Sequence, residues 1–266
     1  MKVCKNLVDK RKEEIMRIIQ ENNFVSVNEL VERFGVSAAT IRRDLQYWES
    51  VGAIERNYGG ALLLQAFVDE DVDSYIRSRY MKAIAHKAAS FVEDGDVIFM
   101  NSSTTAIMMI EFIKRKHVTI ITNNARVIRY IPNQNVTVLL MGGEIRFPKK
   151  SLTGEIAINS LNKITANKCF VGCSGLTTEG ISTANVKEAT VNKTILQRTA
   201  GKKYVLCDHT KVGLNFAFTY SGFNTLDCII TDVEANSEII ENIKRNNKKL
   251  EIYKVEPLQK GIELEI

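Results

Sequence analysis

Several polar motifs in the second half of the chain directly follow short apolar runs. In an open α/β sheet, ligands bind outside the carboxyl ends of parallel strands, so polar residues at these ends are candidates for ligand contacts. The candidates are Asn101, Ser102, Ser103, Thr104 and Thr105 after "VIFM", Asn123 after "VTIIT", Gly142, Gly143 and Arg146 after "VTVLLM", Lys187 and Glu188 beyond "CFVG", and Asp208 and Lys211 after "KYVLCD". Their common position predicts one binding site at one edge of a sheet.

The residue types at these positions suit a small phosphorylated polyol. The stretch from Ser102 to Thr105 opens a predicted helix, whose free amides and hydroxyls can hold a phosphate or a carboxylate. The remaining groups are three cations that add positive charge and three side chains that can bind hydroxyls: Arg146, Lys187 and Lys211, and Asn123, Glu188 and Asp208.

Each of these motifs also has a plainer interpretation. Gly142-Gly143 can be only a turn, Asp208 and Lys211 can form a surface ion pair, and "NSSTT" can be no more than a capped helix start. It is the shared location at strand ends that favours a binding site.

A second set of polar residues lies in "GVSAATIRRDLQYWESVG", residues 35–52. Ser37 is a good N-cap and Gly52 a good helix stop. Between them Ile41, Leu45 and Trp48 recur at helical spacing and predict a buried stripe, which places Arg43 on the opposite face. A solvated helix face is the alternative to a binding surface.

The flanking elements favour binding to DNA. A helix over "DKRKEEIMRIIQENN", a second over "SVNELVERF" with a Ser26–Glu29 capping box, a tight turn and a hairpin over "AIERNYGGALLL" together predict a winged helix-turn-helix. The recognition helix of this motif enters the major groove, and arginine is the commonest base contact there. The predicted DNA contacts are Ser37, Thr40, Arg42, Arg43, Gln46 and Tyr47 on the helix and Arg56, Asn57 and Tyr58 on the wing. Asp44 lies beside the packed face, where we expect it to orient an arginine or tie to a neighbouring element.

Beyond the wing, the pattern predicts a second, α/β domain. Short apolar runs alternate with helical stretches from "MKAIAHKAASFVEDGD" onward, which is typical of a mainly parallel sheet. Residues 62–78 lose periodicity and carry an acidic cluster. We therefore predict a DNA-binding domain over residues 1–61, a linker over 62–78 and an effector-sensing and oligomerisation domain over 79–266.

Composition and charge restrict the classes of protein to which this chain can belong. The 266 residues carry a net charge of +5, but residues 1–61 hold ten Lys/Arg against nine Asp/Glu, so a DNA-binding case depends on where the charges lie. The absence of a long apolar run or signal-peptide core predicts a cytoplasmic protein. Of the five cysteines, Cys169, Cys207 and Cys228 lie in apolar runs and predict small buried thiols, and we expect no metal site and no cofactor.

The stretch "SVNELVERFGVSAATIRRDLQYWESVGAIERNYGGA" closely resembles the signature of the DeoR family of bacterial transcriptional regulators. The resemblance continues through "GDVIFMNSSTT", "TIITNN", "GGEIR" with "SLTGE", "FVGCSGL" with "GIST", and "DHTKVG". It implies a sensor domain similar in fold to ribose-5-phosphate isomerase that binds a sugar phosphate. The ligand contacts it implies are Thr104, Thr105, Asn123, Gly142, Gly143, Arg146, Thr183, Glu188, Asp208 and Lys211.

The chain departs from the family pattern at four positions. Tyr58 stands where histidine is usual in the wing. Asn101 and Ser103 replace the aspartate and glycine of the usual Asp-Ser-Gly-Thr-Thr loop, and Asn192 stands where a lysine is usual. The loss of a carboxylate at Asn101 bears directly on which ligand is bound.

These observations favour a DNA-binding transcriptional regulator, a repressor controlled by a phosphorylated sugar, that acts as a homo-oligomer on double-stranded operator DNA. Two alternatives remain open. One is a sugar-phosphate isomerase with an accessory domain, in which Glu188 and Asp208 would be the acid–base groups. The other is a regulator whose second domain only dimerises.

Overall fold

The computed structural model of the chain describes residues 2–50, 53–57, 59–64, 72–113, 117–130, 134–147 and 149–258. It forms two compact units, one of residues 1–78 with 259–265 and one that starts at Arg79. Within the described part, no helix is both long enough and apolar enough to cross a membrane.

The first unit is a winged helix-turn-helix. Its elements are α1 (Lys2–Asn22), β1 (Phe24–Ser26), α2 (Val27–Phe34), α3 (Ala38–Ser50), β2 (Ile54–Asn57) and β3 (Gly60–Leu63). The three strands form an antiparallel sheet in the order β1-β3-β2. The three helices and the hairpin predicted from the sequence are therefore present, and β1 is an addition, because a three-residue strand is too short to show a period.

Local sequence explains where α2 and α3 begin and end. Ser26 and Glu29 form the predicted capping box at the start of α2. Gly35 ends α2 in the left-handed conformation, at φ 62°, and makes the tight turn. Ser37 accepts a hydrogen bond from the Thr40 amide and caps α3. The predicted stripe of Ile41, Leu45 and Trp48 is completely buried in the core of this unit.

Secondary structure extends into residues 62–78, where the sequence predicted an irregular linker. Leu62 and Leu63 belong to β3 and pair with Phe24 and Ile54. Helix α4 (Val72–Ala89) begins inside the same segment. Among the residues of α4 whose burial the structure describes, Met81 is the first that is buried. The acidic residues before Val72 lie outside the described part.

The second unit is built on a parallel sheet of seven strands. They are β4 (Val97–Met100), β5 (Val118–Thr122), β6 (Val136–Leu140), β9 (Ala166–Gly172), β12 (Thr199–Leu206), β14 (Cys228–Asp232) and β15 (Glu251–Val255), with β7, β8, β10, β11 and β13 between them in the chain. Their order in the sheet is β15-β14-β12-β9-β4-β5-β6, and each pair is parallel. The five apolar runs quoted from the sequence lie on β4, β5, β6, β9 and β12 of this sheet.

Alternate residues of each strand face two separate cores. Phe99, Ile121 and Val205 face the core that includes α6 and α7, whereas Ile98 and Ile120 face the core that includes α4 and α5. The remaining helices of the unit are α5 (Thr104–Met108), α6 (Glu155–Asn162), α7 (Val186–Gln197) and α8 (Ser237–Asn246). A sheet covered on both faces is the expected architecture for parallel strands.

Short antiparallel strands add to the carboxyl side of the sheet. They are the pair β7 (Glu144–Arg146) and β8 (Ser151–Thr153), and the trio β10 (Gly175–Thr177), β11 (Gly180–Thr183) and β13 (Phe218–Ser221). The chain reverses its direction of travel across the sheet at β4, which lies between β5 and β9. The crevice beyond β4 and β9 is therefore the topological switch point, where open α/β sheets bind their ligands.

Candidate nucleic-acid interface and effector site

Helix α3 presents a continuous polar face away from its core. Ala39, Arg42, Arg43 and Gln46 are all exposed. Each arginine is three or four residues from Ala39 and from Gln46, which places the four along one side of the helix. No hydrogen bond or ion pair within the described residues is recorded for Arg42 or Arg43. Two guanidinium groups and an amide on one exposed stripe can contact phosphates and base edges together.

The neighbours of this face differ in part from the sequence prediction. Asp44 is buried and accepts a 2.6 Å ion pair from Arg11 Nε on α1, which is the structural role expected for it. Tyr47 was predicted to face DNA, but it is half-buried: its ring contacts Trp48 edge to face, and the Lys12 ammonium lies 4.5 Å from its centre. Tyr47 therefore packs between α1 and α3.

The wing presents two of its three predicted residues to solvent. Asn57 is exposed, and Arg56 is exposed but bound to Glu49 at the end of α3, with 2.7 Å between Nε and Oε2. DNA must compete with this exposed ion pair for the guanidinium, which costs little. Tyr58 lies outside the described residues.

Asn101 does not have a free side chain for a ligand. It is buried at the switch point, where its amide donates to the Gly172 carbonyl and to Asn192 Oδ1 and accepts from the amides of Gly172 and Ser103. These four bonds exhaust the capacity of an amide side chain. Asn101 thus ties the end of β4 to the end of β9, and the prediction of a direct ligand contact is replaced by a positioning role.

The "NSSTT" loop starts a short helix, as the sequence predicted a helix at this position. Helix α5 has only five residues, so its dipole adds little to anion binding. Ser103 caps it with an ordinary φ of −67° and lies directly against Gly172, so the position does not need a glycine. The Thr104 hydroxyl accepts from Arg126, a cation that the sequence analysis did not select.

Glu188 is a buried carboxylate at the centre of an ionic cluster whose cations are partly exposed. Its carboxylate accepts from Arg146 at 2.7 Å and from Lys149 at 3.1 Å, and also from the hydroxyls of Ser151 and Thr183. The structure therefore brings together three predicted residues from β7, β11 and α7. Lys149 and Ser151 were missed, although they follow the "GGEIR" motif directly in the chain.

Four buried side-chain oxygen atoms have no hydrogen-bond partner among the described residues, and one of them, Thr231 Oγ1, lies on β14. The other three lie at the carboxyl side of the sheet. They are Thr105 Oγ1, Asn123 Oδ1 and Thr153 Oγ1, on the segments that follow β4 and β5 and at the end of β8. Asn123 Nδ2 donates to the Leu152 carbonyl, which places Asn123 beside β8. An unpaired buried acceptor costs about 1–3 kcal/mol, so these atoms mark room for a polar ligand or water.

The glycine pair has a structural explanation. Gly143 has φ 136°, and a Cβ there would lie 2.6 Å from the Thr153 carbonyl. Only glycine fits this conformation beside β8. The motif is therefore more than a free turn, because it allows the loop after β6 to approach Thr153.

The remaining predicted residues form two separate pairs. Asp208 is completely buried and pairs with Lys211 at 3.3 Å, so this contact is not the surface ion pair of the alternative interpretation. Lys187 and Glu144 form an exposed pair at 2.6 Å. Ser102 is half-buried in the loop before α5. Within the described part of the chain, no group of three or more potential protein ligands could hold a metal ion.

Buried thiols occupy the core, as their apolar surroundings predicted. Cys169, Cys173, Cys207 and Cys228 are all buried and free. Burial raises the pKa of the Cys169 thiol to about 12. This thiol therefore stays protonated and behaves as a small apolar side chain.

Family models match both units of the chain. The DeoR-like helix-turn-helix domain matches residues 11–66, and the DeoR C terminal sensor domain matches residues 77–233. These matches span well over half of the sequence, so the chain belongs to the DeoR family. The resemblance noted in the sequence is thereby confirmed.

Curated relatives match along almost the whole chain. The lactose phosphotransferase system repressor of Staphylococcus aureus (strain N315) is 32% identical over 88% of this chain and 95% of its own length. The HTH-type transcriptional regulator IolR of Bacillus subtilis (strain 168) is 31% identical over 86% of this chain and 92% of its own. Among solved structures, ribose 5-phosphate isomerase A of Methanocaldococcus jannaschii is similar to 51% of the chain, with a TM-score of 0.36 and 16% identity over 55% of that protein.

Proposed function

We propose that this protein is a sequence-specific transcriptional repressor of carbohydrate-metabolism genes, released or tuned by a phosphorylated sugar. Residues 1–61 would bind operator DNA, 62–78 would connect the domains, and 79–266 would bind the effector and oligomerise. Membership of the DeoR family and two relatives named as a repressor and a regulator support this role. We expect the protein in the cytoplasm, where bacterial DNA lies.

The proposal of DNA binding depends mainly on one observation, the exposed face of α3 that presents Arg42, Arg43 and Gln46. A helix whose other face is fully packed has no structural need for two adjacent arginines in solvent. In a helix-turn-helix the same face enters the major groove, where arginine binds guanine O6 and N7 and amides bind adenine. Arg56 and Asn57 of the wing would contact the phosphate backbone or the minor groove.

The effector part is supported by the unpaired oxygens of Thr105, Asn123 and Thr153 and by the neighbouring Glu188 cluster. Hydroxyls of a sugar can donate to these oxygens. Arg146 and Lys149 are close enough to Glu188 to be shared with a phosphate, because an anion can displace part of an ion pair. Asp208 and Lys211 complete the polar groups at this side of the sheet.

An isomerase requires a general base that is free to accept a proton from the substrate. Both candidate carboxylates already accept hydrogen bonds from neighbouring groups. Glu188 accepts from four groups, and Asp208 accepts from Lys211 and from the amide and hydroxyl of Thr210. We therefore favour binding without turnover. An isomerase assay with pentose and hexose phosphates separates the two ideas, since turnover above the uncatalysed rate would contradict the regulator-only proposal.

The proposed function is tested with the purified full-length chain and DNA from upstream of its own gene. Mobility shifts are measured alone and with a panel of pentose and hexose phosphates, beside unrelated DNA of equal length. The proposal expects a specific complex that at least one phosphorylated sugar weakens or strengthens. Equal affinity for both DNAs at moderate salt would contradict sequence-specific binding, because phosphate contacts alone give no sequence preference.

A further inference from the structure

The two edges of the seven-stranded sheet have opposite character. Strand β15 at one edge is "EIYKV" and carries the charges of Glu251 and Lys254. Strand β6 at the other edge is "VTVLL", with neither charge nor proline. Proteins protect exposed edges with charged residues, proline or a covering element, because unpaired backbone groups recruit further strands. By this rule β15 is a protected edge and β6 is not.

The backbone of β6 has a free side. The Met141 amide donates to Thr122 and the Asn135 carbonyl accepts from Val118, so the odd-numbered residues of β6 bond to β5. In a parallel ladder the alternate residues point the other way, which directs the amides of Val136, Val138 and Leu140 outward. No strand among the described residues pairs with this side.

Exposed apolar side chains concentrate around the same edge. Of the eleven large apolar residues exposed in the described part of the chain, six lie between residues 128 and 156: Ile128, Leu139, Leu140, Ile145, Phe147 and Ile156. They lie on β6, on the β7–β8 hairpin and on the segments beside them. The Asn124–Ser151 bridge joins this hairpin to the end of β5.

The exposed apolar area is of the size that an interface needs. The six side chains are 42–80% exposed, which leaves about 700 Å² open to solvent if a complete large residue has roughly 200 Å². A specific interface buries about 800 Å² on each partner. This sum includes side chains on both faces of the sheet, because the neighbouring residues Leu139 and Leu140 point to opposite faces. A strand added at the edge would border both faces.

We propose that a second copy of this chain covers the β6 edge, pairing its own β6 antiparallel to the first. Strand β6 carries no charged side chain that an approaching copy would have to desolvate. An antiparallel pair of identical strands has two-fold symmetry, the symmetry with which helix-turn-helix dimers bind paired half-sites. Only the symmetry argument rests on the proposed function. The uncharged edge strand and the exposed apolar area beside it do not depend on that proposal.

The experiment compares proline substitutions at matched positions on the two edges. Val138→Pro removes an outward amide of β6, and Lys254→Pro removes an outward amide of β15, because the odd-numbered Glu251 amide bonds inward to Asp227. The mass of the full-length protein is followed by sedimentation over a concentration series. The native chain and Lys254→Pro are expected to form an assembly of at least twice the 30.0 kDa chain mass.

Val138→Pro is expected to raise the dissociation constant of that assembly at least about tenfold. Leu139→Lys, at an exposed position on the same strand, is the second variant and keeps every backbone amide. Circular dichroism checks that each variant remains folded. A monomeric native protein, or a Val138→Pro and Leu139→Lys pair that assembles as the native chain does, would overturn the proposal.

The same samples distinguish this inference from the proposed function. If both β6 variants assemble normally and the native protein binds operator, the edge proposal fails and the regulator proposal stands. If the native protein assembles through β6 but binds no upstream DNA specifically, the regulator proposal fails and the edge proposal stands.

Discussion

Asn101 illustrates how one amide can organise a switch point. Each hydrogen-bonding position of its side chain is used, and Asn192 on α7 is one of the partners. Both residues depart from the usual family pattern of aspartate and lysine. Because the two positions are in contact, we interpret the departures as one exchange, in which a charged pair is replaced by a neutral pair of amides.

Asn101→Asp is expected to destabilise the second unit by about 2 kcal/mol. A carboxylate cannot donate, so the bonds to the Gly172 carbonyl and to Asn192 Oδ1 are lost and oxygen faces oxygen. The free energy of unfolding is measured by urea denaturation followed by far-ultraviolet circular dichroism. An unchanged free energy would show that these two hydrogen bonds contribute nothing.

The double variant Asn101→Asp with Asn192→Lys is expected to recover part of this loss. An ammonium at position 192 can donate to the new carboxylate, so the coupling energy in the double-mutant cycle should be favourable by about 1 kcal/mol or more. The Gly172 carbonyl remains unsatisfied, so recovery is incomplete. Strictly additive effects would contradict the view that the two departures form one exchange.

Arg43→Ala is expected to spare the fold and weaken operator binding. The guanidinium is exposed on α3, and a lost base contact costs about 1–3 kcal/mol with relaxed sequence preference. Arg245→Ala, an exposed arginine on α8, is the matched control and should leave affinity unchanged. Fluorescence anisotropy on operator DNA measures both variants. Equal affinity of native protein and Arg43→Ala would remove this residue from the interface.

At the scale of elements, α3 is held in position by α1. The ion pair between Arg11 and Asp44 and the 2.8 Å bond from the Trp48 indole to the Lys12 carbonyl join the two helices. Both contacts lie on the side of α3 opposite the arginines. The helix proposed to contact DNA is therefore held in position through its opposite face, by groups that are not proposed to touch DNA.

Asp44→Asn is expected to destabilise the first unit by about 2 kcal/mol, because a buried charge pair loses one partner. Glu49→Gln breaks the exposed pair with Arg56 and should cost less than about 0.5 kcal/mol. The fluorescence of Trp48, the one tryptophan of the chain, reports unfolding of this unit specifically. Equal losses in the two variants would contradict the importance of the buried pair.

The short 3-10 helix His209–Lys211 supplies a pH-dependent contribution to stability. The hydrogen bond that His209 Nδ1 donates to the Asp232 carboxylate raises the pKa of His209 above its ordinary value of 6.5, against the opposing effect of burial. A raised folded-state pKa means that this stability is fully present below pH 6.5 and is lost as the pH rises through the folded pKa.

His209→Gln should therefore destabilise the protein more at pH about 6 than at pH about 8.5. Thermal unfolding at several pH values measures the difference between native and variant protein. His117→Gln, at an exposed histidine beside Asp94, is the control and should show a smaller pH-dependent difference. A constant difference between native protein and His209→Gln across this range would contradict the contribution of the His209–Asp232 pair.

The sequence predicted the regular helices and strands better than it predicted which side chains form hydrogen bonds with one another. The seven parallel strands and the buried stripe of α3 follow from apolar periodicity, which survives in any context. Strand β1 is too short for a period. The engagement of Asn101 with Gly172, 71 residues away, depends on which strands become neighbours, and a single sequence does not carry that information.

For the whole molecule, the proposed function requires that the two sites be coupled. A repressor tuned by a metabolite must bind operator and effector with unequal joint affinity. Coupling between two sites typically amounts to about 1–3 kcal/mol, and by linkage each ligand changes the affinity for the other by the same factor. A protein whose second domain only dimerises would show no such reciprocity.

The most direct test is therefore a pair of titrations with the full-length protein and whichever phosphorylated sugar it binds. Operator affinity is measured with and without saturating sugar, and sugar affinity with and without operator. We predict that the two ratios are equal and lie between about 5 and about 150, and that Thr105→Val with Asn123→Leu abolishes both. Operator affinity that no phosphorylated sugar changes, in a protein shown to bind both, would contradict the account.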